Sequence, residues 1–158
     1  MKEKTCCFTG HREIPSEQYQ KIFEKTERAV EEHIKNGYLY FSAGGALGFD
    51  TLAAIIVLDL KKKYPQIALN LVLPCPTQAK SWSEKDKKIY EDIKQKADNI
   101  TYTSLEYSRG CMHKRNRCLV DNSSACICYL TEDNGGTFYT VKYEKKHGLT
   151  VINISDTV

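Results

Sequence analysis

Residues 38–63 read YLYFSAGGALGFDTLAAIIVLDLKKK. Tyr38 to Ser42 is a short aromatic and apolar run with the composition of a β-strand. Gly44 to Gly48 follows as a loop, and from about Asp50 the apolar residues run on too long for another strand. They predict a helix to Lys63, closed by Lys61, Lys62 and Lys63, whose charges complement the negative end of its dipole, and Pro65 prevents continuation. Ile67 to Leu73 then reads as a strand stopped by Pro74 and Pro76. Strand, glycine loop, helix and strand make the repeating unit of a parallel sheet with crossover helices.

The same alternation extends in both directions. On the N-terminal side, Thr5 to Thr9 is an apolar run ending in Gly10. Beyond Pro15, with Ser16 available as a cap, Ile22, Phe23, Thr26, Val30 and Ile34 recur at helical spacing until Gly37. On the C-terminal side a lysine-rich helix is expected from about Ser83 to Ala97, and a weak strand from Ile100 to Thr103. A basic helix from Gly110 to Asn122, a strand from Ala125 to Leu130, a helix from about Thr137 to His147 and a strand from Leu149 to Ile154 complete the series. Six strands alternating with five helices predict an α/β fold, a mainly parallel sheet with helices on both faces. The chain shows no repeat and no linker, so a single domain over residues 1–158 is expected.

Composition narrows the function classes. With 41% hydrophobic and 27% charged residues the chain is neither disordered nor membrane-embedded, and its longest apolar run, Leu52 to Leu58, is far too short to span a bilayer. No secretory signal is expected at the N-terminus, which points to the cytoplasm. A net charge of +3 does not by itself imply a polyanion partner. The seven cysteines are an odd number and include no Cys-x-x-Cys pair; they read as reduced, buried packing residues, with no metal site and no cofactor expected. The apolar helix from Asp50 to Leu60 is buried either by the sheet or by a second copy, so a homo-oligomer stays open.

In open α/β sheets ligands bind beyond the carboxyl ends of the strands, which turns the strand ends into a list of candidate residues. After the first strand come Gly10, His11 and Arg12; after the second, Ser42, Gly44, Gly45, Gly48 and Asp50; after the fifth, Gly135, Gly136 and Thr137. Glycines permit tight turns and close ligand approach, and a following helix N-terminus favours an anion, so Gly44 to Asp50 is the strongest phosphate candidate. Its spacing is neither a dinucleotide fingerprint nor a P-loop. The alternative is a plain strand-to-helix turn, with Asp50 capping the helix. His11 is either a hydrogen-bonded structural group or a working one, and Arg12 suits bidentate phosphate binding. Around Met112 to Arg117, either Arg115 or Arg117 accompanies Asn116 at the phosphate end of a ligand, or the cluster is a solvated basic face. Trp82 either stacks on a base or covers the core edge. No residue is singled out as catalytic.

Four stretches together carry a resemblance: Phe8-Thr9-Gly10-His11-Arg12; Ser42 through Asp50; Arg109-Gly110-Cys111-Met112 with Arg115-Asn116-Arg117 and Val120-Asp121-Asn122-Ser123; and Gly135-Gly136-Thr137. In this order they resemble the YpsA-like family of the SLOG superfamily, which also holds DNA-processing protein A and the Lonely Guy enzymes. The resemblance implies a Rossmann-like three-layer sandwich and a pocket for a nucleotide-like small molecule such as ADP-ribose, in a binding protein or sensor. Two alternatives come with it: a nucleoside 5′-monophosphate phosphoribohydrolase, and a module for single-stranded DNA. The Lonely Guy enzymes carry a glutamate three residues beyond the threonine of their glycine loop, where this chain has Thr140.

Overall fold

The computed structural model describes residues 1–157. Its six strands form one parallel sheet. They are β1 (Thr5–Gly10), β2 (Tyr40–Ala43), β3 (Ala68–Leu73), β4 (Asn99–Tyr102), β5 (Ala125–Tyr129) and β6 (Thr150–Asn153), arranged in the order β4-β3-β2-β1-β5-β6. The connecting helices are α1 (Tyr19–Lys35), α2 (Phe49–Lys61), α3 (Glu84–Lys96), α4 (Cys111–Asp121) and α5 (Gly135–Lys146). Each strand and helix expected from the sequence is present, with ends shifted by a few residues. Ser16 does not cap α1 but opens a 3-10 turn over Ser16–Gln18 that leads into it. Ser83 does cap α3, accepting the Asp86 N–H at 3.1 Å.

The side-chain period of two divides the interior into two cores. In β3, Leu69, Leu71 and Leu73 are buried while Ala68, Asn70 and Val72 are partly exposed. Cys6, Phe8, Phe41, Leu69 and Ile127 face the larger core, covered by Ile22 and Val30 of α1, Leu52 and Ile56 of α2, and Ile93 of α3. Cys7, Cys126 and Cys128 point the other way, into a smaller core with Leu119 and Val120 of α4 and Val141 of α5. The adjacent Cys6 and Cys7 thus serve opposite faces, and none of the seven cysteines is in a disulfide. Leu52, Ala53, Ile56 and Val57 are buried within the one chain, which accounts for the apolar character of α2 without a second copy.

The strand order fixes the position of the site. Leaving β1, the chain steps outward through β2 and β3 to the exposed edge strand β4, and α4 then returns it across the sheet to β5 on the other side of β1. The direction of winding therefore reverses between β1 and β5, where an α/β sheet opens a crevice at its carboxyl end. Among the described residues, no helix is long and apolar enough to cross a membrane.

Candidate functional site

A cavity of about 320 Å³ occupies that crevice. Gly10, His11 and Arg12 at the end of β1 form one wall, and Ala46 and Asp50 lie at the base. Met112, His113, Arg115 and Asn116 enter from α4, while Glu132, Asn134, Gly135, Gly136 and Thr137 border it from the loop after β5. Most of the residues singled out from the strand ends therefore meet in one place.

Arg115 is the unusual member. It is 4% exposed, and its hydrogen-bond partners are the Asn116 Oδ1 at 2.7 Å from Nε, the Gly44 carbonyl from Nη1 and the Met112 sulfur at 3.7 Å from Nη2. None of these is an anion. The nearby charge is Asp50, itself 7% exposed, which accepts the Ala46 N–H at 3.2 Å. Burial pushes the Asp50 carboxyl up and the Arg115 guanidinium down, while each group pulls the other back toward its charged form. Arg12 adds a second cation that favours ionised Asp50 and opposes charge on Arg115. Arg115 thus has a counter-charge in Asp50 but no anion among its hydrogen-bond partners, and with Arg12 beside it the site can take up an incoming anion.

His11 joins two strand ends. Its Nε2 accepts the Thr131 N–H at 2.9 Å, its backbone N–H donates to the Tyr129 carbonyl at 3.3 Å, and its ring sits edge-on to Tyr129. The first bond requires an unprotonated Nε2, so His11 acts as a structural clamp whose ring also borders the cavity.

The two glycine loops differ. A Cβ on Gly48, at φ +80°, would lie 2.3 Å from the Arg12 carbonyl oxygen; one on Gly45, at φ +72°, would lie 2.4 Å from Leu73 Cδ2; and one on Gly44 would lie 2.6 Å from Arg115 Nη1 and 2.9 Å from Asp50 Oδ2. These three glycines are filled in by protein and do not line the cavity. The Phe49 N–H at the start of α2 donates to the His11 carbonyl, so that helix end is covered as well. Gly10 similarly permits close packing, since a Cβ there would lie 2.5 Å from Phe49. Gly135 and Gly136 have nothing within 4 Å of a would-be Cβ, they border the cavity, and they open α5, whose N-cap residue Asn134 makes no side-chain cap. The uncovered, anion-favouring helix end therefore belongs to α5.

Two of the residues singled out lie elsewhere. Ser42 is buried in β2 beside Cys7 and Asn70, on a sheet face away from the crevice. Trp82 packs edge-on against Tyr90 at 5.1 Å, lies over the main core and does not line the cavity. Of the two arginines, Arg115 faces the cavity and Arg117 does not. Glu132 and Asn134 are cavity residues that strand-end reasoning passed over; the signal was their place next to the second glycine pair. Thr140 donates its hydroxyl to the Gly136 carbonyl at 2.9 Å.

Beneath α5, Cys7, Cys126 and Glu144 bring possible ligand atoms within 4.8 Å of one another. All three are buried, the Cys7 thiol donates to Glu144 Oε2 at 3.5 Å, and burial pushes the Glu144 carboxyl up to about 7. The cluster offers three ligand atoms where a four-coordinate structural zinc site takes four, and burial holds Glu144 closer to its neutral form than an exposed carboxyl.

Comparison with known proteins comes from three directions. A family model described as the YspA SLOG family matches residues 7–154. The SPbeta prophage-derived protein YoqJ of Bacillus subtilis is 32% identical over 139 residues, covering 80% of this chain and 81% of that protein. A UPF0398 protein of Macrococcus caseolyticus is 25% identical over 151 residues, covering 90% and 81%. Among solved structures, DNA processing protein A from Streptococcus pneumoniae superposes with a TM-score of 0.67 at 15% identity over 95% of this chain. This chain spans only 50% of that protein's length. The corresponding protein from Helicobacter pylori, described for its single-stranded DNA binding mode, gives 0.66 at 17% identity, covering 97% of this chain and 70% of its own. At such identities the superpositions establish the Rossmann-like fold.

Proposed function

The chain belongs to the YspA SLOG family, and from that premise we propose that it binds a nucleotide or nucleotide-derived ligand, of the ADP-ribose type, in the crevice between β1 and β5. The observation that carries this reading is Arg115, a buried guanidinium with no anion among its hydrogen-bond partners, facing the uncovered N-terminus of α5. In it the amides of Gly135, Gly136 and Thr137 receive a phosphate, Arg12 and Arg115 neutralise it, and Asp50 orients a sugar hydroxyl. The chain works as one domain, as a binding protein or sensor, and position 140 supplies no carboxylate for a hydrolytic step.

Titration calorimetry of the full chain against AMP, ADP and ADP-ribose tests the proposal. Saturable binding is expected for at least one of them, weakened about ten-fold or more by Arg12→Ala, the usual size of a lost charge-assisted bond. Absence of heat with every one of these ligands would overturn it.

A second reading, binding of single-stranded DNA, is favoured by the fold shared with the DNA processing proteins and by openings on both sides of the cavity. One side opens toward Pro15 and Tyr129, the other toward Arg117 and Tyr139. It predicts oligonucleotide affinity that falls steeply with salt and drops with Arg117→Ala. A gel shift with no retention at low salt removes it.

A further inference from the structure

The cavity is not closed on its α4 side. His113 and Asn116 border it and also border a smaller groove of about 140 Å³ between α4 and α5, completed by Arg117, Tyr139, Thr140 and Tyr143. The two spaces are therefore neighbours across a shared pair of side chains. Helical periodicity explains the arrangement. His113, Asn116 and Arg117 stand one turn apart on α4, and Tyr139 and Tyr143 one turn apart on α5, so each helix presents one facing stripe to the groove.

The two tyrosines differ in how they are held. Tyr143 is half-buried, its hydroxyl donates to Asp121 Oδ1 at 2.8 Å, and its ring lies 4.0 Å from that of His147. It is a fixed wall. Tyr139 is 59% exposed, among the described residues its ring pairs with no aromatic but the neighbouring Phe138, at 5.8 Å between centroids, and its hydroxyl makes no hydrogen bond there. An exposed aromatic face with a cation beside it suits a flat, electron-rich ring. The distance also suits one ligand spanning both spaces. Gly136, at the phosphate-facing end of α5, precedes Tyr139 by three residues, about 4.5 Å along the helix axis, which leaves room for a sugar between an anionic group and a ring.

We infer that the α4–α5 groove is the base subsite of the crevice, in which Tyr139 stacks on the nucleobase of a ligand whose phosphate lies at the Gly135–Thr137 turn. This rests on the anion-binding reading of the main cavity. The groove's volume fits a single planar ring, and its polar wall of Asn116, Thr140 and Arg117 supplies edge contacts. Tyr139 is accordingly a specificity-determining residue, distinct from the cations that hold the phosphate.

The test compares two probes, AMP and ribose 5-phosphate, which share the sugar phosphate and differ in the base. Stacking of one base on one aromatic ring corresponds to roughly ten-fold in affinity. Wild-type protein is expected to bind AMP about ten-fold more tightly than ribose 5-phosphate. Tyr139→Ala should bring AMP down to the level of ribose 5-phosphate and leave ribose 5-phosphate unchanged, while Tyr139→Phe keeps the preference. Equal affinity of the wild type for the two probes, or an equal loss of both in Tyr139→Ala, overturns the inference and leaves the anion site standing. Failure of both probes to bind overturns the inference, and if ADP and ADP-ribose fail as well the reading on which it rests falls with it.

Discussion

The loop at Gly44 to Gly48 and the loop at Gly135 to Thr137 look alike in sequence, each a glycine-rich step from a strand into a helix, yet they do opposite work. The first is packed around its glycines. Its glycines allow the Arg12 carbonyl, Leu73 and the Arg115 guanidinium to approach within distances a side chain would forbid, and the helix it opens is sealed by the His11 carbonyl. The second is bare, with open space over both glycines and an uncapped helix end at the cavity. A glycine can thus make room for protein or for a ligand, and composition does not distinguish the two. Here the packed loop builds the site from behind by fixing Arg115 and Asp50, and the open loop faces the ligand.

Substitutions can break this contrast. The largest effect is expected for Gly48→Ala, which combines a disfavoured backbone, φ +80° and ψ −123°, with a Cβ 2.3 Å from the Arg12 oxygen. A stability loss of about 3 kcal/mol or more should appear in chemical denaturation. A loss below about 1 kcal/mol would show that the first loop is not the packed one.

Next comes Glu144, buried at the far end of α5, the helix that the open loop begins. Its carboxyl is raised from 4.5 to about 7, so the folded state holds its proton more tightly than the unfolded state does. The stabilisation is full below pH 4.5 and is lost as pH rises toward 7, a change of about 3 kcal/mol in all for such a shift. Glu144→Gln should remove this group's contribution to the pH dependence and be roughly 1–2 kcal/mol more stable than wild type at pH 8. If the variant unfolds with the same pH profile as wild type, Glu144 is ionised in the fold and this account of α5 is wrong.

Gly44→Ala follows, with a cost of about 1–2 kcal/mol and a displaced Arg115, since the new methyl would lie against the guanidinium. The smallest stability effect belongs to Gly136→Ala, within about 0.5 kcal/mol of wild type, because nothing lies within 4 Å of the added carbon. That same methyl would project into space open to the ligand, so nucleotide affinity should fall while the melting temperature holds. A stability loss equal to that of Gly48→Ala would erase the distinction between the loops.

Much of this architecture was legible before any coordinates. Strand and helix periods placed all eleven elements, because each strand is bounded by glycine, proline or a polar loop and each helix carries an inward stripe. The strand order was not legible: the hydrophobic pattern that makes β5 a buried strand is the same whether it pairs with β1 or with β4. That order decides where the crevice lies. Most of the site could be read, since ligand positions follow strand ends, but Ser42 and Trp82 were assigned by proximity in sequence and belong to a different sheet face and to the core edge. Choosing between Arg115 and Arg117 depends on the rotation of α4 about its axis, which is set by the packing of Leu119 and Val120 into the smaller core. Glu132 and Asn134 carry no periodic signal and are marked in the sequence only by their place beside Gly135 and Gly136.

The central claim is that Arg115 is buried for a ligand and not for the fold, and paired measurements on Arg115→Met test it most directly. Because Asp50 is buried beside it, Arg115→Met is made together with Asp50→Asn, since replacing both members of a buried charge pair by uncharged side chains is often neutral or stabilising whereas removing one alone strands the other. The account predicts that this double variant melts at or above wild type, with nucleotide affinity reduced about 100-fold relative to Asp50→Asn alone. A double variant that melts well below wild type while binding nucleotide as tightly as Asp50→Asn alone would show that Arg115 serves the fold, and would contradict the account.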